Sequence, residues 1–287
     1  MSNLVLYAIP AFIVAMAIEI VWASRHPVVG YDKRDTAASL SMGLLNVFIS
    51  AGTKFLSIPF FAWLYTHRVA DLGTGVWWSW LALFFLEDHS YYWFHRVHHE
   101  VRVLWACHVN HHSSQRYNFS TALRQPLLTP ITGPIFWAPL ALLGYPPWMI
   151  MTAQAWSLLY QFWLHTEAVD RLGPLEWVLN TPSHHRVHHG KNVPYLDKNH
   201  GGILIVWDRL FGTFAPELER VEYGLTKDIH SFNPLVIGFH EFGAIADDVR
   251  RAPDLRSKLG YMLRPPGWSH DGSSKTARQL QDALTSN

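Results

Sequence analysis

Five long apolar segments in the first 164 residues constrain the fold more strongly than any other feature of this sequence. Each contains 17 residues or more, close to the roughly 20 that a helix needs to cross the hydrocarbon layer of a bilayer. Trp and Tyr are frequent near their ends, as they are at membrane interfaces. We therefore predict an all-α fold, a polytopic membrane bundle of about four to five transmembrane helices with a cytosolic helical cap. The segments are Leu4–Trp22, Leu40–Tyr65, Val76–Phe94, Leu127–Leu143 and Pro147–Leu164.

The first two segments leave alternatives open. No small-residue cleavage site follows Leu4–Trp22, so we interpret it as a retained anchor rather than a signal peptide. Leu40–Tyr65 contains Lys54 and Pro59, and it could either cross the membrane or re-enter on the same side. For the whole region, the alternative to a membrane bundle is a soluble protein whose apolar segments are buried core helices.

Charged residues predict the orientation of these segments. Arg25, Lys33 and Arg34 follow the first segment, whereas Met1–Asn3 carry no basic side chain. Because basic residues concentrate in cytoplasmic loops, we expect the loop after the first segment on the cytoplasmic side. Counting crossings from there returns every histidine-rich segment to that side. We predict an integral protein of the cell inner membrane or the endoplasmic reticulum, with its active site facing the cytoplasm.

Composition excludes other classes of protein and site. A net charge of +1 gives no electrostatic reason to expect nucleic-acid binding. A single cysteine, Cys107, allows neither an internal disulfide nor a cysteine-based metal site. We predict one domain over residues 1–270, with a histidine-rich core at 87–214, and a polar, disordered tail at 271–287.

Most of the 18 histidines fall in two windows, Glu87–Ser113 and Ser183–Gly190. Three groups there share the spacing i, i+3, i+4, which on a helix places three imidazoles within one sector of about 100°. We expect each group to direct its rings toward one point, as in a metal site. His165, which ends the fifth apolar segment, is expected to be a further ligand. The three groups are His95, His98 and His99; His108, His111 and His112; and His185, His188 and His189.

So many imidazoles exceed the needs of one ion, because a structural zinc takes four protein ligands and a catalytic zinc takes three. Two ions about 3.5 to 4 Å apart that share the set are the simplest interpretation. A lipid C–H bond has no acidic proton for hydrolytic chemistry, whereas iron and O₂ supply oxidising power. The sequence therefore favours a pair of iron ions next to a membrane.

Carboxylates near the histidines are candidates for catalytic or supporting roles. Asp88 shares a helix stripe with His95 and His99. A ligand imidazole usually donates its second N–H to a carboxylate or carbonyl, so we predict this role for Asp88, with Glu87 beside it. Further candidates of this kind are Glu100, Glu167 and Asp170.

Other histidines are expected to stay outside the metal site. In the neighbouring pairs His98–His99 and His184–His185, we expect one ring to point away. A lone histidine near a membrane is usually an amphipathic interfacial residue. We interpret five histidines in this way: His26, His67, His230, His240 and His270.

The three histidine motifs resemble those of the fatty acid hydroxylase and sterol desaturase superfamily of membrane di-iron oxygenases. The matching text is His95-Arg-Val-His-His99, His108-Val-Asn-His-His112 and His185-Arg-Val-His-His189. Within the superfamily, the text between the motifs is most similar to the branch that cleaves alkylglycerols. That text includes Glu87–Arg96, Asn118–Gln125, Tyr160–Glu167, Leu172–Gly190 and Trp207–Phe214.

The resemblance implies an O₂-dependent, iron-requiring enzyme that hydroxylates or desaturates a lipid, with two iron ions as its cofactor. It implies an external reductant, either tetrahydrobiopterin or an electron-transfer protein that would be a redox partner. Glu100 would be a nearby acid, and Gln161 stands where some relatives have a ligating histidine. The expected iron ligands are His95, His99, His108, His111, His112, His165, His185, His188 and His189, and the expected catalytic carboxylates are Asp88 and Glu100.

Other functions remain open at this point. Within the same superfamily, the chain could be a sterol or fatty acid desaturase or hydroxylase instead. A histidine-lined metal transporter belongs to a different class, but transporter ligands lie near the membrane midplane on broken helices. A membrane zinc hydrolase is disfavoured because the sequence has no His-Glu-x-x-His motif.

Overall fold

The computed structural model of the chain describes residues 4–26, 30–73, 75 and 77–286, and within them the fold is helical. No β-strand forms in that part of the chain, where two isolated bridges pair Leu179 with Leu204 and Gly190 with Tyr223. The predicted all-α class is confirmed. The helices are α1 (Leu4–Ala23), α2 (Lys33–Thr66), α3 (Trp77–Glu100), α4 (Arg102–His112), α5 (Phe119–Ala122), α6 (Thr129–Thr132), α7 (Pro134–Leu143), α8 (Pro147–Phe162), α9 (Pro182–His188), α10 (Val206–Phe211), α11 (Pro234–Arg251), α12 (Leu255–Leu263) and α13 (Ala277–Thr285), with 3₁₀ turns at Gly173–Trp177 and Val193–Tyr195.

α2 is the one helix among the described residues that is long and apolar enough to cross a membrane, judged by length and composition. It runs unbroken through Lys54 and Pro59, so the chain does not turn back at these residues. α1 and α3 contain most of the first and third predicted segments. Val76, the predicted start of the third segment, lies outside the described residues, as do Met1–Asn3.

The fourth predicted segment, Leu127–Leu143, is not one continuous helix. Gly133 separates α6 from α7, and each of these helices has a proline in its first turn, where the missing N–H is tolerated. α7 has 10 residues and is therefore about 15 Å long, half the roughly 30 Å thickness of the hydrocarbon layer. The structure therefore does not confirm a full-length span at this position.

α7 and α8 form a hairpin whose turn depends on Gly144. This residue has a φ of 121°, and a Cβ there would collide with the carbonyl oxygen of Ala70. The hairpin packs its apolar side chains with those of α2 and α3 in the main core, which includes Phe61, Leu83, Trp137, Leu140 and Met149. α4 packs against α3 and α11, so the helices that carry the histidine motifs are fixed from several sides.

Glu19 is the one acidic residue of α1, and it is buried. Its carboxylate accepts hydrogen bonds from the hydroxyls of Tyr31 and Thr166 and from the backbone N–H of Phe119, 2.8 Å away. A carboxylate among apolar residues is costly unless it faces the protein interior. The contact therefore fixes which side of α1 faces the rest of the molecule.

The segment expected to be a disordered tail, 271–287, contains helix α13. Thr276 and Gln279 form a capping box at its start, which satisfies two backbone N–H groups that a helix otherwise leaves unpaired. The Gln281 side chain donates to the carbonyls of Val193 and Leu196, 3.1 and 2.8 Å away. Local capping and this docking contact account for the difference from the expectation.

Candidate metal centre

The nine histidines expected as metal ligands come together in the structure, where they form two adjacent groups. In each group, one ring nitrogen per histidine lies within 4.8 Å of those of the other members, and every member is buried. We call them the five-histidine group and the four-histidine group. The five-histidine group is His95, His99, His108, His112 and His188; the four-histidine group is His111, His165, His185 and His189.

The second and third motifs are each divided between the groups, whereas His98 of the first motif lies in neither, so the three rings of a motif do not meet at one point as expected. On α4, His108 and His112 belong to the five-histidine group and His111 to the four-histidine group. Residues four apart differ by about 40° around a helix, whereas the i+3 residue lies about 60° from the i residue on the other side. In these two motifs the i, i+4 pair therefore stays together, and the i+3 residue joins the other group.

His98 and His184 lie outside both groups, as expected for one ring of each neighbouring pair. His98 has its own partners, the carbonyl of Phe94 at 2.7 Å and the hydroxyl of Thr132 at 2.8 Å. The His184 ring lies 4.0 Å from a carboxylate oxygen of Glu176. The isolated histidines also lie outside the groups: His26, His67, His230, His240 and His270.

Backbone carbonyls fix the orientation of four ligand rings. Nδ1 of His95 donates to the carbonyl of His200, and Nδ1 of His188 donates to that of Lys198. In the same way, Nδ1 of His111 donates to the carbonyl of Arg124, and Nδ1 of His165 donates to that of Gln161. These distances run from 2.9 to 3.1 Å. An imidazole that donates through Nδ1 in its neutral form presents a lone pair at Nε2. Each of these rings is therefore prepared to bind a cation through Nε2.

Burial keeps the rings neutral. It lowers the pKa of His111 to about 4, and it lowers the pKa of His185, His188 and His189 well below the ordinary histidine value of 6.5. Neutral imidazole is the form that binds metal ions. At neutral pH the groups therefore offer lone pairs rather than positive charges.

Facing lone pairs provide a test of whether a metal fits. His111 and His165 both donate through Nδ1, yet their Nε2 atoms lie 3.2 Å apart with no hydrogen available between them. The Nε2 atoms of His99, His188 and His189 are buried without any hydrogen-bond partner. Unpaired buried acceptors are costly, and a cation among them removes the cost.

The spacing of the nitrogens also fits a metal. Ring nitrogens bound at about 2.0 to 2.1 Å from one ion would be separated by about 2.8 to 3.4 Å, depending on the coordination geometry. Four Nε2 pairs lie 3.1 to 3.3 Å apart, two in each group: His95–His108, His108–His112, His111–His165 and His165–His185. Both groups therefore match the donor set of an imidazole-bound transition metal.

A buried ion pair supports the four-histidine group. Arg124 is almost completely buried and forms an ion pair with Asp35 of α2. Its guanidinium also donates to the hydroxyls of Ser39 and Ser113, 3.1 and 3.0 Å away. The pair holds the Arg124 backbone, whose carbonyl accepts the Nδ1 hydrogen of His111.

Asp88 and Glu100 do not touch the histidines, contrary to the prediction. The Asp88 carboxylate accepts from the backbone N–H groups of Ile203 and Leu204 and from the Trp207 indole N–H, at 2.7 to 3.0 Å. It therefore holds the loop that follows His200, and a carbonyl takes the role predicted for it at His95. Glu100 is paired with Arg96 at 2.8 Å, and its side chain is 40% exposed.

The other predicted carboxylates are also engaged elsewhere. Glu87 accepts from the Trp137 indole at 3.3 Å, Glu167 from the Tyr223 hydroxyl at 3.3 Å, and Asp170 from the backbone N–H of Arg171 at 2.9 Å. Carbonyl oxygens carry no signal in a sequence, which is why residue types alone pointed to carboxylates.

Sequence reasoning missed His200. Its ring is completely buried, and its ring centroid lies 5.1 Å from that of His99. His200 stands alone in the sequence, outside the i, i+3, i+4 pattern. The available signal was its position between Leu172–Gly190 and Trp207–Phe214, two segments that resemble the superfamily.

Comparisons with known proteins agree with this geometry. A family model described as fatty acid hydroxylase matches residues 80–213, which include every member of both groups. Human alkylglycerol monooxygenase is 42% identical over 264 residues, which cover 91% of this chain and 59% of that protein. The zebrafish (Danio rerio) alkylglycerol monooxygenase is 43% identical, covering 82% of this chain and 53% of the other.

A bacterial relative is more distant. An ornithine lipid hydroxylase of Rhizobium tropici is 31% identical over 154 residues, which cover 50% of this chain and 44% of that protein. The chain thus spans about half the length of the curated relatives it matches. No solved structure gives a significant match.

Proposed function

Because a fatty acid hydroxylase family model matches residues 80–213, we propose that the chain is a membrane-bound iron monooxygenase that hydroxylates a lipid. The single observation that carries the proposal is the pair of buried all-imidazole groups with facing lone pairs. Such a pair matches two ions held side by side. The relatives, alkylglycerol monooxygenases and an ornithine lipid hydroxylase, make a lipid C–H bond the natural target.

Two iron ions would be held by the five-histidine and four-histidine groups. When bound, they would supply the activation of O₂, which amino-acid side chains cannot provide. The protein itself holds the nine rings in fixed tautomers through carbonyls and excludes water from them by burial. A dry, fixed donor set keeps the oxidising chemistry away from solvent.

The apolar surface of the first helices supports a membrane location. α1 and α2 expose large apolar side chains, among them Ile18, Phe48, Phe55 and Leu56, and Phe55 is 83% exposed. A contiguous apolar surface of this kind marks a membrane or protein contact. We propose that these helices lie in the bilayer and that the histidine groups face the cytoplasm, at the ends of the spans.

We propose an ether lipid of the alkylglycerol type as the substrate, by similarity to the relatives. Hydroxylation of the carbon next to the ether oxygen uses O₂, two electrons and two protons, and it gives a hemiacetal and water. The hemiacetal then collapses, because its C–O ether bond breaks while the hydroxyl loses its proton, into an aldehyde and a glycerol. The electrons come from a reductant, for which tetrahydrobiopterin and an electron-transfer protein are the two candidates.

The test uses the protein purified in detergent. We expect about two iron ions per chain, O₂ consumption that requires a 1-O-alkylglycerol and a reductant, and a fatty aldehyde detected by mass spectrometry. The corresponding 1-acylglycerol is the matched control, because its ester carbon has no hydrogen to replace. Each reductant candidate is supplied in a separate reaction.

Two results would overturn the proposal. One is protein that holds a single zinc per chain and consumes no O₂ with any lipid. The other is an iron-loaded protein that consumes O₂ and releases no hydroxylated or aldehyde product. Hydroxylation of a different lipid, such as an ornithine lipid, would retain the enzyme class and replace only the substrate.

A further inference from the structure

His200 is an unexplained group in the interior of the protein. Its side chain is completely buried, and neither ring nitrogen has a hydrogen-bond partner. A neutral imidazole carries one donor and one acceptor, so both are left unsatisfied. Each buried polar group without a partner in a native protein calls for an explanation, such as an ion. His200 is therefore the strongest sign of a ligand outside the nine histidines already described.

The position of His200 relates it to the five-histidine group. Its ring centroid lies 5.1 Å from that of His99, 5.7 Å from that of His188 and 5.8 Å from that of His95. Within the group itself, the centroid separations of neighbouring rings run from 4.3 Å for His95–His188 to 5.2 Å for His95–His99. His200 thus stands beside three of the five rings, at separations at the upper end of that range or slightly above it.

A buried carboxylate lies near the ring, beyond hydrogen-bond distance. The Nδ1 of His200 lies 3.7 Å from the Asp208 carboxylate, and the Asp208 side chain is completely buried. Ligand histidines commonly direct one nitrogen to a carboxylate or carbonyl and the other to the metal. Asp208 also accepts from the backbone N–H groups of His200 and Gly201, each at 2.7 Å, so it holds the chain in place on both sides of the ring.

The loop that carries His200 has two residues in the left-handed backbone region. Asp197 and Asn199 have φ angles of 53° and 57°, which aspartate and asparagine adopt more readily than other non-glycine residues. The Asn199 side chain holds the loop through the carbonyls of His184 and Ala215, 3.0 and 2.8 Å away. The backbone next to His200 is therefore fixed.

We propose that His200 is a tenth histidine of the metal centre and that its Nε2 binds the ion of the five-histidine group. The inference rests on the metal centre of the proposed function. His200 lies beside the five rings rather than among them, so ion binding draws its ring inward. The ion of the five-histidine group would then be held by six imidazoles rather than five.

The experiment uses cobalt as a spectroscopic probe of the full-length protein in detergent, with no lipid present. Co²⁺ absorbs weakly in the visible range when six-coordinate and more strongly as ligands are lost. We expect His200→Ala to raise the visible absorption of the cobalt-loaded protein and to speed removal of one of its two ions by a chelator, at least about tenfold. Free imidazole added to His200→Ala should restore the wild-type spectrum.

Two controls separate ligation from a structural role. His184→Ala removes another buried histidine with an unpaired nitrogen, outside both groups, and should leave the spectrum unchanged. His200→Gln keeps most of the side-chain volume, and both variants keep the backbone carbonyl that holds His95. A His200→Gln protein with a wild-type spectrum and a wild-type rate of ion removal would overturn the proposal.

A fold defect is also distinguishable from ligation. If His200→Ala lost both ions at similar rates and imidazole restored neither, the residue would be structural and the proposal would be wrong. Wild-type protein that binds two cobalt ions, but whose iron-loaded form oxidises no lipid, would overturn the proposed function alone. Wild-type protein that binds no cobalt would overturn both the proposed role of His200 and the proposed function.

Discussion

The five-histidine and four-histidine groups are neighbours that share α4 and α9, yet they are held in place by different parts of the molecule. In the five-histidine group, His95 and His188 donate to carbonyls of the loop at residues 198–200. In the four-histidine group, His111 and His165 donate to the carbonyls of Arg124 and Gln161. One group thus depends on the loop that carries His200, and the other depends on a buried ion pair with α2 and on α8.

One repeated histidine motif can therefore supply two sites whose rings are held by different parts of the protein. On α4, His108 and His112 belong to the five-histidine group, whereas His111 on the same helix belongs to the four-histidine group. Damage to one supporting element should therefore weaken one ion more than the other. Variants that remove a ligand or a support from one group test whether the two groups are separate.

Removing a ligand from either group should cause the largest loss. We expect His188→Ala, in the five-histidine group, and His111→Ala, in the four-histidine group, to abolish activity and each to lower the iron content. Iron per chain and product formation are the measurements. His98→Ala is the matched control, since its ring bonds to Phe94 and Thr132, and it should retain its iron. Loss of iron in His98→Ala would show that the two groups are assigned incorrectly.

Breaking the buried ion pair should damage the four-histidine group selectively. Asp35→Ala leaves the Arg124 guanidinium buried and uncompensated, which costs about 3 to 5 kcal/mol of unfolding free energy. We expect the ion held by His111 to dissociate faster than the other. Denaturant unfolding and stepwise chelation measure the two effects.

A double variant serves as the control for the ion pair. Asp35→Ala combined with Arg124→Met removes both charges and should recover part of the lost stability. Equal weakening of both ions in the single variant would contradict the separation of the two groups.

Changing Asp88 should weaken binding of the ion in the five-histidine group, in contrast to Asp35→Ala, and the loss should be smaller. Asp88→Asn keeps the shape of the side chain but weakens the bonds to the N–H groups of Ile203 and Leu204, which anchor the loop after His200. Loss of such outer support typically costs 10- to 100-fold in metal affinity. Titration of the purified protein with metal should show this loss at the five-histidine ion, whereas an equal loss at both ions would contradict it.

The smallest effect concerns pH in the metal-free protein. Burial lowers the pKa of His111 from 6.5 to about 4, so between these values the unfolded chain binds a proton and the folded chain does not. Stability therefore falls as pH falls through this range, by up to about 1.4 kcal/mol per pH unit for one histidine. His111→Gln should lose this part of the slope when unfolding is measured at pH 5 and pH 6. An unchanged slope would show that the ring is charged in the folded protein.

Much of the metal centre could be predicted from the sequence because helix spacing is a short-range property. The nine grouped histidines follow from the i, i+3, i+4 pattern, from the motif resemblance and from the position of His165 at the end of an apolar segment. Their division into two groups could not be foreseen, because it depends on how α4 and α9 are rotated against α3 and α8. That rotation depends on the packing of many side chains, and no single residue in the sequence indicates it.

The errors have physical causes of the same kind. Asp88 was expected at His95 because a carboxylate is visible in a sequence, whereas the His200 carbonyl that takes its place is not. The fourth apolar segment was expected to be continuous because hydropathy does not register the break at Gly133. His200 has no histidine near it in the sequence, so its position beside His99 is visible only in the folded structure.

The contact between Glu19 and Thr166 connects helix α1 to the four-histidine group. Thr166 follows His165 directly, and its hydroxyl donates to the carboxylate of α1. Transmembrane helices respond to the thickness of a bilayer by changing their tilt. In the proposed membrane arrangement, a change in the tilt of α1 would therefore pull on the residue next to His165 and shift one member of the four-histidine group.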